Sequence, residues 1–271
     1  MHIDAYLHRI SYTGPRDVTA DTLRQLHRAH LFAIPYENLD IHLGHPLTLD
    51  LDHIYHKLVE EQRGGWCYEM NGLFAWALRK LGFPVTLLGS TVGAPAQGAT
   101  GDHDHLILRV DLAEPWLVDV GFGNGILEPL PLAVGDYQQV FGHFRLEQTG
   151  DQWYFHNQPQ GGAGFGFTLL PRSWSEFARR CHELQTLPTS GFVRATVCHR
   201  FTPDGLITLR GAVLKRFTTA GVSECEITTL EEYDYLLRSE FGLALTQSAD
   251  LWPTVWSRHL AWKRTQAAPE S

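Results

Sequence analysis

The chain has 271 residues, of which 44% are apolar and 19% charged, with 25 glycines and 14 prolines. That make-up belongs to a folded globular protein and excludes a disordered tail or a collagen-like repeat. The formal net charge of -8, from 30 acidic and 22 basic residues, argues against nucleic acid or an anionic membrane as partner, since both need a clustered basic surface.

No apolar run is long enough to span a bilayer, and "MHIDAYLHRI" lacks the charged start and greasy stretch of a signal peptide, so a cytoplasmic protein is expected. Cys67, Cys181, Cys198 and Cys225 lie far apart without a CxxC pair. That spacing predicts free thiols rather than a disulfide framework or a zinc ribbon.

From residue 1 to about 83 the apolar pattern is helical. "DTLRQLHRAHL" (21–31) and "DHIYHKLVEEQ" (52–62) each open on an aspartate suited to capping and carry apolar residues at steps of three and four. A third helix is expected to start near Gly65, with Cys67, Met70, Phe74, Ala77 and Leu81 on one face and Gly82 at its stop. At its mouth stands "RGGWCYE" (63–69), which puts a cysteine in the first turn. Unpaired N–H groups and the positive end of the helix dipole stabilise an anion there, which would lower the thiol pKa. The plain reading of Cys67 is a buried small hydrophobe.

From 85 to about 217 short β-branched and aromatic runs follow: "VTLLGSTV", "HLILRV", "WLVDV", "HFRLEQTGDQWYF" and "ATVCHRFTPDGLITLRGAVLKRF". The turn signals are Thr149-Gly150-Asp151 and Pro203-Asp204-Gly205. A short helix is expected around "SWSEFARRC", and "QGGAGFGF" (160–167) reads as a flexible turn rather than a phosphate loop. The C-terminal part returns to helix, with a capping box at Thr229 and Glu232 and a stop at Gly242.

A nucleophilic thiol works best beside an imidazole that takes its proton, and the imidazole needs an acceptor that fixes its tautomer. "GDHDHLILRVDLAEPWLVDVGFG" supplies both. Read as a hairpin turning at Asp111 to Ala113, it sets Arg109 opposite Pro115, Ile107 opposite Leu117 and His105 opposite Asp119. Asp119, between Val118 and Val120, is a carboxylate that needs a partner if buried. A register slipped by two residues would set His103 against Asp119 on the same face, so parity alone does not choose. His103 and His105 beside Asp102 and Asp104 also invite a metal reading, but a third ligand and a HExxH motif are missing.

"IPYENLD" (34–40), "RGGWCYEMN" (63–71), "HLILRV" (105–110) and "LVDVGFG" (117–123) together resemble the arylamine N-acetyltransferases, in family order and over most of the chain. The interval of 38 residues from Cys67 to His105 is similar to the family's, and with the entry of His105 into "LILRV" it favours His105 over His103. The resemblance implies an α+β fold in three parts: a helical bundle (1–83) carrying the nucleophile, a β-barrel (84–190) carrying His and Asp, and a C-terminal α/β lid (191–271). It implies a Cys-His-Asp triad similar to that of cysteine proteases, made of Cys67, His105 and Asp119. It implies acetyl-CoA as co-substrate, no metal, and an arylamine, arylhydrazine or N-hydroxy compound as acceptor. By the same resemblance Tyr36 and Phe122 line the acceptor pocket, Thr100 and Gly101 contact CoA, and Arg63 and Glu37 pair behind the site. Core packing is the plain alternative for the aromatics.

Two departures stand out: Tyr68 where the family usually has Phe, and the acidic "DHD" (102–104) ahead of His105. Carboxylates there would favour neutral or cationic amines over acidic ones. Two rivals share these residues, namely an acyltransferase or amide synthase using another acyl donor and a binding protein that retains the fold without turnover.

Overall fold

The computed structural model describes residues 1–95, 103–158 and 161–267. Its first part is helical, with α1 (Ile3–Arg9) and α2 (Ala20–Ala33) ahead of a short strand β1 (Tyr36–Glu37). The cap of α2 is Thr19 rather than Asp21: the Thr19 hydroxyl accepts the Thr22 N–H at 3.2 Å, and Asp21 falls in the first turn, where the helix dipole favours it. After α3 (Leu39–Leu43) comes α4 (Leu51–Tyr55), capped by Asp50 rather than Asp52, and it runs on into a π-helical turn, His56–Glu60.

Helix α5 (Cys67–Lys80) starts two residues later than Gly65. The glycines before it are held extended beside β1, with the Gly65 N–H donating to Pro35 O at 3.2 Å and the Glu37 N–H to Gly65 O at 2.9 Å. From Cys67 to Leu78 every residue of α5 is buried, as expected of a helix enclosed by its neighbours. It forms the axis of a core that includes Tyr6, Leu23, Leu26, Ile54, Leu58, Phe74 and Leu106.

Among the described residues eight strands make the larger, antiparallel sheet: β2 (Val85–Val92), β3 (His105–Asp111), β4 (Pro115–Val118), β5 (Leu130–Pro131), β6 (Gly135–Gln139), β7 (Gly142–Thr149), β8 (Gln152–His156) and β9 (Phe165–Pro171). The order is β5-β4-β3-β2-β9-β8-β7-β6, which curls into a nearly closed barrel. The seam between β6 and the approach to β5 is bridged by one side chain. The Gln139 amide accepts from the Leu127 and Glu128 N–H groups at 2.9 and 3.1 Å and donates to Glu128 O at 2.7 Å. Strand β3 is buried on both faces: Leu106, Leu108 and Val110 meet the helical core, while Ile107 joins Leu117, Phe155, Phe165 and Phe167 inside the barrel.

A 3-10 turn (Trp174–Phe177), α6 (Ala178–Thr186) and α7 (Gly191–Arg194) lead to the second sheet. There β10 (Val197–Thr202), β11 (Gly205–Arg210), β12 (Val213–Thr218) and β13 (Gly221–Glu226) follow β1 in the order β1-β10-β11-β12-β13. Because β1 pairs with β10, Tyr36 opposite His199 and Glu37 opposite Cys198, the N-terminal part is sewn to the C-terminal sheet. Helices α8 (Leu230–Ser239) and α9 (Ser248–Ala267) complete the fold. Thr229 caps α8 as expected, but the Glu232 carboxylate reaches the Thr228 N–H at 3.0 Å. Among the described residues no helix is long and apolar enough to cross a membrane.

The hairpin β3–β4 differs from expectation. Its three-residue loop sits one residue later, at Leu112 to Glu114, with the Leu112 N–H bonded to Glu114 O, and Asp111 pairs with Pro115, Arg109 with Leu117 and Leu108 with Val118. The ladder is displaced by two residues, in the direction opposite to the one that would match His103 with Asp119. The segment "QGGAGFGF" is likewise only partly a turn, since β9 begins at Phe165.

Candidate active site

Despite the displaced register, His105 and Asp119 meet. Strand β4 ends at Val118, and Asp119 lies one step beyond the last rung, on the diagonal from His105, a separation that long side chains bridge. His105 Nε2 is 2.7 Å from Asp119 Oδ2, and both residues are buried. With Nε2–H donated to the carboxylate, the lone pair of the neutral ring sits at Nδ1. The ring is wedged between Phe122 and Phe165, with centroids 5.1 and 5.4 Å away.

The remaining oxygen of Asp119 is held by a residue the sequence reading passed over. Asn71, one helical turn after Cys67, donates from Nδ2 to Asp119 Oδ1 at 2.8 Å and to Leu106 O at 2.7 Å, and accepts the Val120 N–H at 3.0 Å. The Gly121 N–H adds a second bond to Oδ1 at 2.8 Å. A charged carboxylate with three donors is fully compensated in the interior. The signal for Asn71 was present: a buried polar residue on the face of Cys67 must be paired. Gly121 itself admits no side chain, since a β-carbon there would lie 2.7 Å from Cys67 O and 2.5 Å from Asn71 Nδ2.

Cys67 is the first residue of α5 and only 3% exposed. Burial pushes its thiol well above the usual range, and Cys181, Asp104 and Asp119 add to the rise, against a lowering by the Tyr68 backbone hydrogen bond. The helix start therefore does not by itself give a free thiolate, contrary to the expectation from position. A thiolate here becomes favourable only as an ion pair with an imidazolium held by Asp119. All four cysteines are free; Cys181 and Cys198 are buried and Cys225 is exposed.

Arg63 and Glu37 come together as anticipated, within a larger buried network. Arg63 Nη2 is 2.9 Å from both Glu37 Oε1 and Asp40 Oδ1. Lys57 Nζ is 2.7 Å from Asp40 Oδ2 and 2.9 Å from Glu69 Oε1. Glu69 Oε2 also accepts the Trp66 N–H at 3.2 Å, so the network grips the start of α5. Burial alone would push Asp40 up, but Lys57 and Arg63 outweigh it and hold the carboxyl at about 2. Lys57→Met, which leaves Asp40 and Glu69 without that cation, should cost about 3 to 5 kcal/mol. The urea midpoint checks this, with Lys57→Arg much milder.

Tyr36 is buried on β1, and Cys67 and Asp119 lie within the electrostatic surroundings of its hydroxyl. Phe122 is partly buried beside His105. Thr100, Gly101 and Asp102 lie outside the described residues. Asp104 Oδ1 accepts the Val92 N–H at 2.9 Å, and Oδ2 is 3.9 Å from Arg180, so this carboxylate is already engaged. His103 lies two residues ahead of β3, and its backbone oxygen accepts from the Tyr68 hydroxyl at 3.1 Å. Among the described residues no cluster of three or more His, Cys, Asp or Glu is placed to hold a metal ion.

Residues 19–250 match the family model described as N-acetyltransferase. The chain is 36% identical to the Gallus gallus arylamine N-acetyltransferase, pineal gland isozyme NAT-3, over 90% of its own length and 95% of that protein's. Its fold is similar to arylamine N-acetyltransferase from Salmonella typhimurium (TM-score 0.86, 30% identity, 94% of this chain and 98% of that one). The Mycobacterium marinum enzyme in complex with CoA superposes with a TM-score of 0.84 at 32% identity, covering 95% of this chain and 98% of that one. A family match that spans helix α5, the barrel and the second sheet, joined to identity along nearly the whole length, places the chain in the arylamine N-acetyltransferase family.

Proposed function

We propose that the protein carries an acetyl group from acetyl-CoA to the nitrogen of an arylamine or arylhydrazine, in two half-reactions joined by a thioester on Cys67. The observation that carries this reading is the buried 2.7 Å contact between His105 and Asp119, tied through Asn71 to the helix that begins with Cys67. The relatives' names support an arylamine acceptor, and the Mycobacterium marinum complex supports CoA as the carrier of the acyl group.

In this reading residues 1–83 hold the nucleophile, 84–190 the His and Asp, and 191–271 the lid over them, in a protein of the cytoplasm. Asp119 fixes the tautomer, so Nδ1 of His105 receives the Cys67 proton. The thiolate attacks the thioester carbonyl, the carbon–sulfur bond to CoA breaks, and CoA leaves as the thiol with the proton from the imidazolium. The amine then attacks the acetyl-Cys67 carbonyl, its proton passes to His105, and the collapse returns Cys67 with an amide as product. A backbone N–H at the start of α5 stabilises the oxyanion in both steps. Tyr36 and Phe122 face the acceptor, and Thr100 and Gly101 contact CoA.

Initial rates with both substrates varied should give parallel double-reciprocal lines; lines that intersect would indicate a single ternary complex instead. A chelator-treated, dialysed sample should keep its rate, because the thiol is activated by proton transfer alone. A loss restored by zinc would revive His103 and His105 as ligands.

A further inference from the structure

Opposite Tyr36, across the β1–β10 pair, stands His199, with the two ring centroids 5.6 Å apart. Its Cδ2–Nε2 edge lies over Gly123, next to Phe122. A β-carbon at Gly123 would come within 2.7 Å of Cδ2 and 3.4 Å of Nε2, and the glycine adopts a φ of +78° that other residues rarely take. The ring is therefore seated in the loop that follows Asp119. Its Nδ1 is 2.9 Å from Thr208 Oγ1, while Nε2 has no hydrogen bond among the described residues. Burial, with Arg210 adding, pushes the imidazole down to about 3, so it is neutral at any working pH.

Beyond His199 the sheet carries positive charge. His199, Thr208, Lys215 and Glu224 stand side by side across β10 to β13, and Lys215 is neutralised by Glu224 at 2.8 Å. Arg210, two residues from Thr208 on the same face, and Arg194 form no ion pair among the described residues. With Thr208 they line a cavity of about 520 Å³. The nearest described carboxylate of the acidic loop, Asp104, is engaged elsewhere.

We propose that His199 is a specificity-determining residue: it forms the wall of the acceptor pocket facing Tyr36, and its Nε2–H, backed by Arg210, favours aromatic amines whose ring carries a carboxylate. With the Thr208 hydroxyl as donor to Nδ1 the proton is on Nε2 and an N–H is directed at the ligand; with the ring as donor Nε2 would accept instead and a carboxylate would be disfavoured. The inference rests on the acceptor reading above and reverses the preference for neutral or cationic amines expected from the "DHD" segment.

The test compares kcat/KM for 4-aminobenzoate with that for 4-methylaniline, two acceptors of similar shape. His199→Phe, which keeps the bulk and removes the donor, should lower the 4-aminobenzoate to 4-methylaniline ratio about tenfold, the loss of one charge-assisted hydrogen bond. His199→Gln, which restores an N–H donor, should recover most of the ratio. Arg210→Gln should lower it about threefold, and less at high salt. A ratio that stays within twofold in His199→Phe, with both acceptors slowed alike, would show a structural wall only and overturn the proposal. So would failure of the Gln variant to recover what Phe loses. Normal uptake of acetyl by the unaltered protein separates that outcome from a failure of the acetyl-transfer reading itself.

Discussion

His105→Gln should abolish acetyl transfer, with a fall of about three orders of magnitude or more, while His103→Gln keeps most of the rate. Removal of a general base at a nucleophile costs about 10²- to 10⁴-fold, and the upper end applies where the nucleophile is poorly ionised without it. Cys67 is such a case, because burial holds its proton firmly. The Gln variant should therefore also leave Cys67 slow to react with iodoacetamide near neutral pH. His103 differs: it sits outside β3, it has no hydrogen bond to Asp119 among the described residues, its ring packs against Gly89, and its backbone oxygen accepts from Tyr68. Equal inactivation by the two changes would leave this account without its base, and a dead His103→Gln beside a working His105→Gln would overturn it.

Cys67→Ala should take up no acetyl group and show no turnover with any acceptor, yet fold normally. A β-carbon remains to fill the first position of α5, and the bonds around Asp119 run through Asn71, Gly121 and His105 rather than through the thiol. Its melting temperature should therefore stay within a few degrees of the parent, since only a small side chain is lost. Residual acetylation in this variant, or label found on Cys181, Cys198 or Cys225, would assign the nucleophile elsewhere.

Much of this site was legible because its chemistry is local. "RGGWCYE" announces a cysteine at a helix start, and Asp119 between two valines asks for a partner. The register was not legible, because it depends on a tight loop at Leu112 to Glu114 whose one hydrogen bond has no distinct sequence signature. Parity survived the two-residue displacement, so the face carrying His105 was right even though the rung was wrong. Strands β6 and β13 escaped notice for another reason. "GDYQQ" and "GVSECE" are polar edge segments that become strands by pairing with β7 and β12 rather than by burying an apolar face.

Asn71 and Lys57 were missed because their contacts are tertiary: each bonds a partner at least 12 residues distant in sequence. The thiol was misjudged because the dipole at a helix start and the desolvation of that same start act in opposite directions. Burial is the largest influence on the Cys67 thiol and raises it.

The most direct measurement is the intact mass of the protein after mixing with acetyl-CoA alone, followed by a chase with an arylamine. The account predicts one added acetyl group per chain, located on Cys67 by peptide mapping, with one equivalent of CoA released, and a return to the original mass as the amide appears. An unchanged mass in a preparation that turns over normally when the amine is present would contradict it, because the acetyl group would then pass directly from CoA to the acceptor.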